Sequence, residues 1–158
     1  MRTAIYPGSF DPFTNGHKEI LFRALKAFDK VIIAVADNPN KKTTFTKEER
    51  VGILRKALSD VENVEVDSFS GLTVDYAKKV GSHHIIRGLR AVTDFEYEFQ
   101  LFSANHFIAP DIDMVFFMAS PDYSFISSST VNELRKNGAD VSSLVPEPVI
   151  EAYIKKGL

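Results

Sequence analysis

Hydrophobic positions along the chain alternate between a spacing typical of buried strands and a spacing typical of packed helices. Residues 31–36 form a continuous apolar run rich in β-branched side chains, which predicts a strand buried on both faces. In residues 17–28 the apolar positions recur three and four residues apart, which predicts a helix with one buried face. By the same criteria, strands are predicted at residues 4–6, 31–36, 64–69, 84–86 and 114–118, and helices at about 17–28, 47–58, 74–80, 93–106 and 128–137, with a last helix after Pro146 and Pro148.

The order of these elements predicts the fold class. Strands that alternate with helices pair in parallel through right-handed crossovers, and the helices cover both faces of the sheet. We therefore expect an α/β fold: a Rossmann-like five-stranded parallel sheet with helices on both faces. No linker or low-complexity tract divides residues 1–158, so a single domain is predicted.

Composition and charge narrow the possible functions. The net charge of −2 argues against nucleic-acid binding through an overall positive field. The absence of cysteine excludes disulfides, a thiolate nucleophile and a zinc–thiolate site, and the four histidines lack metal-ligand spacing. No apolar stretch approaches a membrane span, and residues 3–6 read as a strand rather than as part of a signal peptide. A cytoplasmic location is expected, with no membrane and no nucleic-acid partner.

Ligands of such sheets bind beyond the carboxyl ends of the strands, so the segments that follow the strands are the candidate site. The first of these segments runs from Gly8 to His17. A histidine in the first turn of a helix can donate to a phosphate, beside free N–H groups and the positive end of the helix dipole. An isolated Gly-His pair would more often be a loop with a capping histidine, but the whole segment favours phosphate binding. Asp11 is expected to bond its own backbone rather than to act as a catalytic acid.

Cations and hydroxyl groups follow three other strands. Lys41 and Lys42 follow the second strand, and Arg87 and Arg90 follow the fourth. Arginine offers a planar fork that holds two phosphate oxygens at once. A run of serines at residues 127–129 opens a helix and supplies N–H and hydroxyl donors for phosphates.

Each of these features has a structural alternative. Paired lysines are commonly solvated surface residues, acidic residues at 94, 96 and 98 could simply neutralise the arginines, and serines are ordinary helix caps. Their convergence on one sheet edge favours a phosphate-binding function. The aromatic stripe of Phe95, Phe99 and Phe102 is interpreted as packing rather than as a ligand platform.

Three motifs carry a resemblance to a known family. Thr14-x-Gly16-His17 resembles the (His/Thr)-x-Gly-His signature of the nucleotidyltransferase superfamily, and residues 6–12 resemble the bacterial phosphopantetheine adenylyltransferases in particular. Residues 87–90 resemble the Arg-Gly-(Leu/Ile)-Arg element of that family, and residues 126–129 resemble its Ile-Ser-Ser-(Ser/Thr) run. At Asn132 the chain departs from the family, since many members carry Lys or Arg there.

This resemblance implies a reaction and its participants. An adenylyl group would pass reversibly from ATP to 4′-phosphopantetheine, giving dephospho-coenzyme A and pyrophosphate, a step of coenzyme A biosynthesis. Magnesium is expected on the ATP phosphates rather than in a protein cage. A homohexamer is also implied.

The resemblance further implies roles for individual residues. The catalytic residues would be His17, as the transition-state stabiliser, with Lys41 and Arg90. Phosphopantetheine would be bound by Ser9, Lys41, Thr73 and Arg87. ATP would be bound by Ser9, Phe10, His17, Gly88, Leu89, Arg90, Glu98, Tyr123, Ser124, Phe125, Ile126, Ser127, Ser128 and Ser129.

Other functions remain open at this point. The nearest are other small nucleotidyltransferases, such as a nicotinate-mononucleotide adenylyltransferase or a glycerol-phosphate cytidylyltransferase. A non-catalytic nucleotide-binding module of the universal-stress type would share the fold. A class I aminoacyl-tRNA synthetase is not expected, because 158 residues leave no room for tRNA-binding domains.

Overall fold

Five strands and six helices alternate in the computed structural model, which describes residues 1–158. The pairing is parallel throughout, as predicted. The elements are β1 (Thr3–Gly8), α1 (Asn15–Ala27), β2 (Lys30–Ala36), α2 (Lys47–Ala57), β3 (Val64–Phe69), α3 (Thr73–Lys79), β4 (His84–Leu89), α4 (Val92–Ile108), β5 (Asp113–Met118), α5 (Ser128–Lys136) and α6 (Glu147–Lys155).

The strand order places a switch point beside the central strand. The sheet has the order β3-β2-β1-β4-β5, so the chain builds outward from β1 on one side and then crosses to the other. Helices that follow the two directions lie on opposite faces, which opens a crevice between the carboxyl ends of β1 and β4. The predicted Rossmann-like fold class is confirmed.

Two hydrophobic clusters cover the faces of the sheet, as predicted for helices on both sides. On one face, Leu21 of α1 and Leu54 of α2 pack with Ile33. On the other face, Val74 of α3 packs with Ile85. A third cluster joins α2 to α5 and α6 and includes Ile53, Val131 and Val149. It attaches the C-terminal helices beside the carboxyl edge of the sheet.

Strands β1 and β4 extend further than their sequence predicts. The strand predicted at residues 4–6 continues through Pro7 and Gly8, which pair with Ala34 and Val35 of β2. The strand predicted at residues 84–86 likewise continues from Arg87 to Leu89, which pair with β5 up to Met118. Pairing with a neighbouring strand outweighs the local turn preference of proline and glycine. As a result, Arg87 and Gly88 are held by the sheet rather than by a flexible loop.

Helix α4 corrects the interpretation of the aromatic stripe. Phe102 packs against the core beneath α3, but Phe95 and Phe99 remain 55% and 58% exposed. These two rings lie 6.0 Å apart and contact each other, but neither belongs to a hydrophobic cluster of the core. No helix has the length and apolarity that a bilayer crossing requires.

Candidate active site

A cavity of about 320 Å³ opens at the switch point between β1 and β4. Its walls are the β1–α1 segment, the end of β4, the first turns of α4 and the start of α5. Parallel pairing brings these segments to one edge, although they are far apart in the sequence. The predicted site residues that line the cavity are Phe10, His17, Arg87, Gly88, Arg90, Glu98, Tyr123, Ile126, Ser127, Ser128 and Ser129.

His17 has a structural contact that fixes its chemistry. It is the third residue of α1, and its backbone N–H donates to the Thr14 hydroxyl at 3.3 Å. In return, Nδ1 of His17 accepts the backbone N–H of Thr14 at 3.0 Å, which completes a capping box. Because Nδ1 accepts, the proton of the neutral ring lies on Nε2 and is available to a ligand.

The surroundings of His17 keep its ring neutral. The ring stacks on Phe13 with centroids 5.9 Å apart and meets the edge of Phe10 at 5.0 Å. Burial among these rings and the positive charge of Arg90 lower the pKa of His17 to about 4. At neutral pH the site therefore presents an uncharged hydrogen-bond donor.

Phe10 adopts an unfavourable backbone conformation in this position. Its φ is +47°, a left-handed value that aromatic residues rarely adopt. Its ring also explains Gly8, since a Cβ at Gly8 would lie 3.2 Å from two ring carbons of Phe10. The aromatic wall around His17 thus depends on a glycine at the end of β1.

The two arginines of the cavity are both paired with carboxylates. Nε and Nη2 of Arg87 donate to the two oxygens of the buried Glu98 at 2.8 and 2.6 Å. Nε of Arg90 lies 3.5 Å from Asp94, whose carboxylate also accepts the Arg90 backbone N–H at 3.0 Å. These pairs hold the guanidinium groups in place before a ligand arrives. The contact of Glu98 with ATP stays a prediction, and both its oxygens already accept from Arg87.

The start of α5 presents unpaired donors. Ser127 caps the helix by accepting the N–H of Thr130 at 3.1 Å, and Ser128 donates its hydroxyl to the Pro12 carbonyl at 2.7 Å. The N–H groups of Ser128 and Ser129 lie in the first turn, where the helix provides no acceptor. The serine run therefore caps the helix and also offers N–H groups to an anion.

Five predicted site residues lie outside this cavity lining, and a sixth belongs to another groove. Leu89 is buried in β4, while Phe125 is 62% exposed. The Ser124 hydroxyl donates to the carbonyl of Pro121. Ser9 and Lys41 contact each other, with Lys41 Nζ donating to the Ser9 hydroxyl at 3.3 Å. Thr73 lines a separate groove at the ends of β2 and β3, beside Asn38 and Ser70.

Asp11 and Asn132 prove to be links between segments. The Asp11 carboxylate accepts hydrogen bonds from the N–H groups of Thr44 and Phe45, each at 2.8 Å. The prediction that Asp11 bonds its own backbone is therefore wrong. Asn132 donates to the Asp11 carbonyl at 2.9 Å and accepts the Tyr153 hydroxyl at 2.5 Å. Asn132 thus anchors the first loop to α5 and α6.

Two residues of interest were missed at the sequence level. Asp94 was considered only as a neutralising charge, although it lines the cavity and holds Arg90. Arg50 was not singled out, although it is buried beside the first loop. Its signal is present in the sequence, since Arg50 shares a helical face with Ile53, Leu54 and Ala57. A charged residue within an apolar face requires a specific set of partners.

The fold and the cavity define a class of enzyme. A parallel sheet, a Thr-x-Gly-His helix start and anion-binding groups at the switch point together are the features of a nucleotidyltransferase. The sequence profile of the cytidylyltransferase-like family matches residues 5–134, which is most of the chain.

Individual relatives narrow this class. The phosphopantetheine adenylyltransferase of Roseiflexus sp. strain RS-1 is 57% identical over 152 residues, which cover 96% of this chain and 95% of the relative. Those of Clostridium kluyveri and Alkaliphilus metalliredigens are 53% and 49% identical, over 99% of this chain and 95% and 99% of theirs. The chain belongs to the phosphopantetheine adenylyltransferase family.

The lowered pKa of His17 predicts a pH dependence of stability. Between about pH 6.5 and pH 4 the unfolded chain gains a proton on this residue that the folded chain does not. The free energy of unfolding should therefore fall as the pH falls through this window, by about 3 kcal/mol at its lower end. NMR titration of His17 should give a midpoint below about pH 5, and His17→Gln should remove this part of the dependence. A midpoint near the ordinary histidine value would contradict the burial argument.

Proposed function

We propose that the protein transfers the adenylyl group of ATP to the phosphate of 4′-phosphopantetheine, releasing pyrophosphate and forming dephospho-coenzyme A. Membership of the family supports this activity. The observation that carries it is the cavity, where a neutral His17, the paired Arg90 and the free N–H groups of α5 meet at one sheet edge. The cytoplasm is the proposed location, because ATP is supplied there.

The proposed chemistry is one in-line displacement. A phosphate oxygen of phosphopantetheine attacks the α-phosphorus of ATP, and the bond from that phosphorus to the β-phosphate bridge oxygen breaks. The acceptor phosphate has a second pKa of about 6, so it is mostly dianionic at neutral pH and needs no general base. The chain has no cysteine, and no serine of the cavity is bonded to a histidine that could activate it. A covalent adenylyl-enzyme is therefore not part of the proposal.

The chain's own groups would align and stabilise the reactants. Nε2–H of His17 would donate to the charge that develops at the α-phosphate, and its orientation is already fixed by Thr14. Arg90 and the first turn of α5 would hold the ATP phosphates, while Lys41 and Arg87 would hold the acceptor phosphate. Thr73 would contact the pantetheine arm from the groove at the ends of β2 and β3.

Magnesium is proposed as a companion of ATP rather than as a resident of the protein. No three His, Asp or Glu side chains come together in the chain as a metal cage. The two acidic residues of the cavity, Asp94 and Glu98, are paired with arginines. Phosphate oxygens and water would hold Mg²⁺, as is common for this ion, and the ion would neutralise charge on the leaving pyrophosphate.

A product assay tests the proposed function directly. The protein is incubated with ATP, Mg²⁺ and phosphopantetheine, and dephospho-coenzyme A is detected by mass. Parallel reactions contain nicotinate mononucleotide with ATP, or glycerol phosphate with CTP. Dephospho-coenzyme A as the main product supports the proposal, while preference for another acceptor assigns the site to a different nucleotidyltransferase. Binding of ATP without any transfer would indicate a non-catalytic module.

Removing His17 should impair catalysis more than binding. His17→Ala deletes the Nε2 donor and is expected to lower kcat by at least ~10²-fold, with a small change in substrate affinity. It also breaks the α1 capping box, which costs about 1 kcal/mol of stability. Thr46→Ala is the matched control, because it breaks the equivalent capping box of α2 away from the cavity. A folded His17→Ala enzyme with near-normal kcat would remove His17 from the mechanism.

Removing Lys41 should affect the acceptor rather than ATP. Lys41 contacts Ser9 and forms no ion pair within the chain, so its charge is free for a phosphate. In calorimetry, Lys41→Ala should weaken phosphopantetheine binding at least ~10-fold and leave ATP binding within ~3-fold. Lys42→Ala removes an adjacent lysine and serves as the control. Weakened ATP binding with normal acceptor binding would reverse the assignment.

We also propose assembly through α4 and β5, in the hexamer that the family resemblance implies. Apolar side chains lie exposed along the first half of α4 and on the edge strand β5, including Phe95, Phe99 and Met118. Exposed apolar patches with an unpaired strand edge are typical of association surfaces. Light scattering should give a hexamer for the wild type and smaller species for Phe95→Asp/Phe99→Asp. Ile154→Asp on α6 is the exposed control. A wild-type monomer would contradict the proposal.

A further inference from the structure

Arg50 is a buried cation without a carboxylate partner. It lies on the inner face of α2, is only 3% exposed and forms no ion pair in the chain. Nearly all buried charges in proteins are paired, because desolvation of an ion is costly. The other two guanidinium groups near the site, those of Arg87 and Arg90, do have carboxylate partners. Arg50 therefore requires a separate explanation.

The partners of Arg50 are carbonyl groups at the edge of the sheet. Nη1 donates to the carbonyls of Ser9 and Ala36 at 2.8 and 3.1 Å, and Nε donates to that of Thr46 at 3.3 Å. The ladder between β1 and β2 ends where Gly8 pairs with Val35. Ser9 and Ala36 follow this last pair along the chain, so Arg50 supplies donors where the ladder stops. It thereby joins the ends of two strands to the start of α2.

Ser9 connects Arg50 to the cation of the acceptor site. Its carbonyl accepts from Arg50, while its hydroxyl accepts from Lys41 Nζ at 3.3 Å. A second link runs in the opposite direction, since Asp11 of the first loop accepts the N–H groups of Thr44 and Phe45. The loop that carries Ser9 and the loop that carries Lys41 are thus fastened together from both sides.

We propose that Arg50 is a positioning residue for the acceptor phosphate. It fixes the backbone at Ser9, and through Ser9 the location of Lys41, and it adds a positive charge that no carboxylate of the chain neutralises. The bound phosphate dianion would balance this charge together with that of Lys41. The proposal rests on the proposed function, because it assigns Lys41 to the acceptor.

A purely structural role explains the carbonyl contacts but not the charge. Neutral donors such as an asparagine or glutamine amide can satisfy carbonyls without the cost of burying an ion. A buried cation next to an anion-binding loop lowers the potential energy of the anion at longer range than a hydrogen bond does. Arg50 should consequently influence acceptor binding more than ATP binding, which is a selectivity that a simple folding residue would not produce.

The experiment compares Arg50→Met, which removes the charge, with Arg50→Lys, which keeps it without the fork. Arg55→Met is the matched control, since Arg55 lies on the exposed face of the same helix. Calorimetry measures dissociation constants for phosphopantetheine and for ATP, while thermal unfolding reports on folding. For Arg50→Met we expect the dissociation constant for phosphopantetheine to rise at least ~10-fold and that for ATP to change by no more than ~3-fold. Arg50→Lys should raise the dissociation constant for phosphopantetheine by a smaller factor. Arg55→Met should change neither constant by more than ~2-fold.

A double variant tests the connection through Ser9. If Arg50 acts by placing Lys41, the effects of Lys41→Ala and Arg50→Lys on phosphopantetheine affinity should not be independent. The fold-loss of affinity in the double variant should then be smaller than the product of the fold-losses in the two single variants. Equal losses for acceptor and ATP, no loss for either, or failure of both Arg50 variants to fold would overturn the proposal. A wild type that makes no dephospho-coenzyme A would instead reject the proposed function. The two failures are therefore distinguishable.

Discussion

Parallel pairing of β1 with β2 on one side and with β4 on the other is the constraint on which the site depends. It brings the carboxyl ends of three strands to one edge and leaves a crevice where the chain changes direction. The groups around the cavity come from segments as distant as residues 6–20 and 119–129. Each segment contributes few polar groups, and these groups form a site only because the segments meet at the carboxyl edge of the sheet.

The ends of the strands also leave backbone groups without ladder partners, and residues of the site supply those partners. Where the ladders stop, backbone groups need partners from loops and helices. Thr14 and His17 satisfy each other at the start of α1, and Arg50 satisfies carbonyls at the ends of β1 and β2. In the proposed function the same contacts also orient groups toward substrate. Stability and the proposed catalytic role are therefore coupled at His17, so a loss of activity in a His17 variant has to be compared with a measurement of folding.

The sequence predicts the alternation of elements well, because hydrophobic spacing reports directly on burial. The helix at about residues 47–58 and the strand at residues 64–69 are confirmed as predicted. The ends of β1 and β4 were predicted too short, since their extra residues depend on neighbouring strands rather than on local preference. The three motifs that follow predicted strands contain most of the residues that line the cavity. The contacts of Asp11 with Thr44 and of Arg50 with Ser9 could not be predicted, because these partners lie 33 and 41 residues apart along the chain.

The distribution of counter-charges separates the two sides of the site. Arg87 and Arg90 come from β4 and the segment after it, and each holds a carboxylate that comes from α4. Lys41 and Arg50 come from the β2–α2 region and hold none. A ligand anion near β4 therefore adds to charges that are already balanced, whereas an anion near Ser9 meets two unbalanced cations. Since a dianion gains most where positive charge is uncompensated, Lys41 and Arg50 would add most to binding of the proposed phosphate monoester beside the already paired Arg87, and the polarised N–H groups of α5 suit the nucleotide.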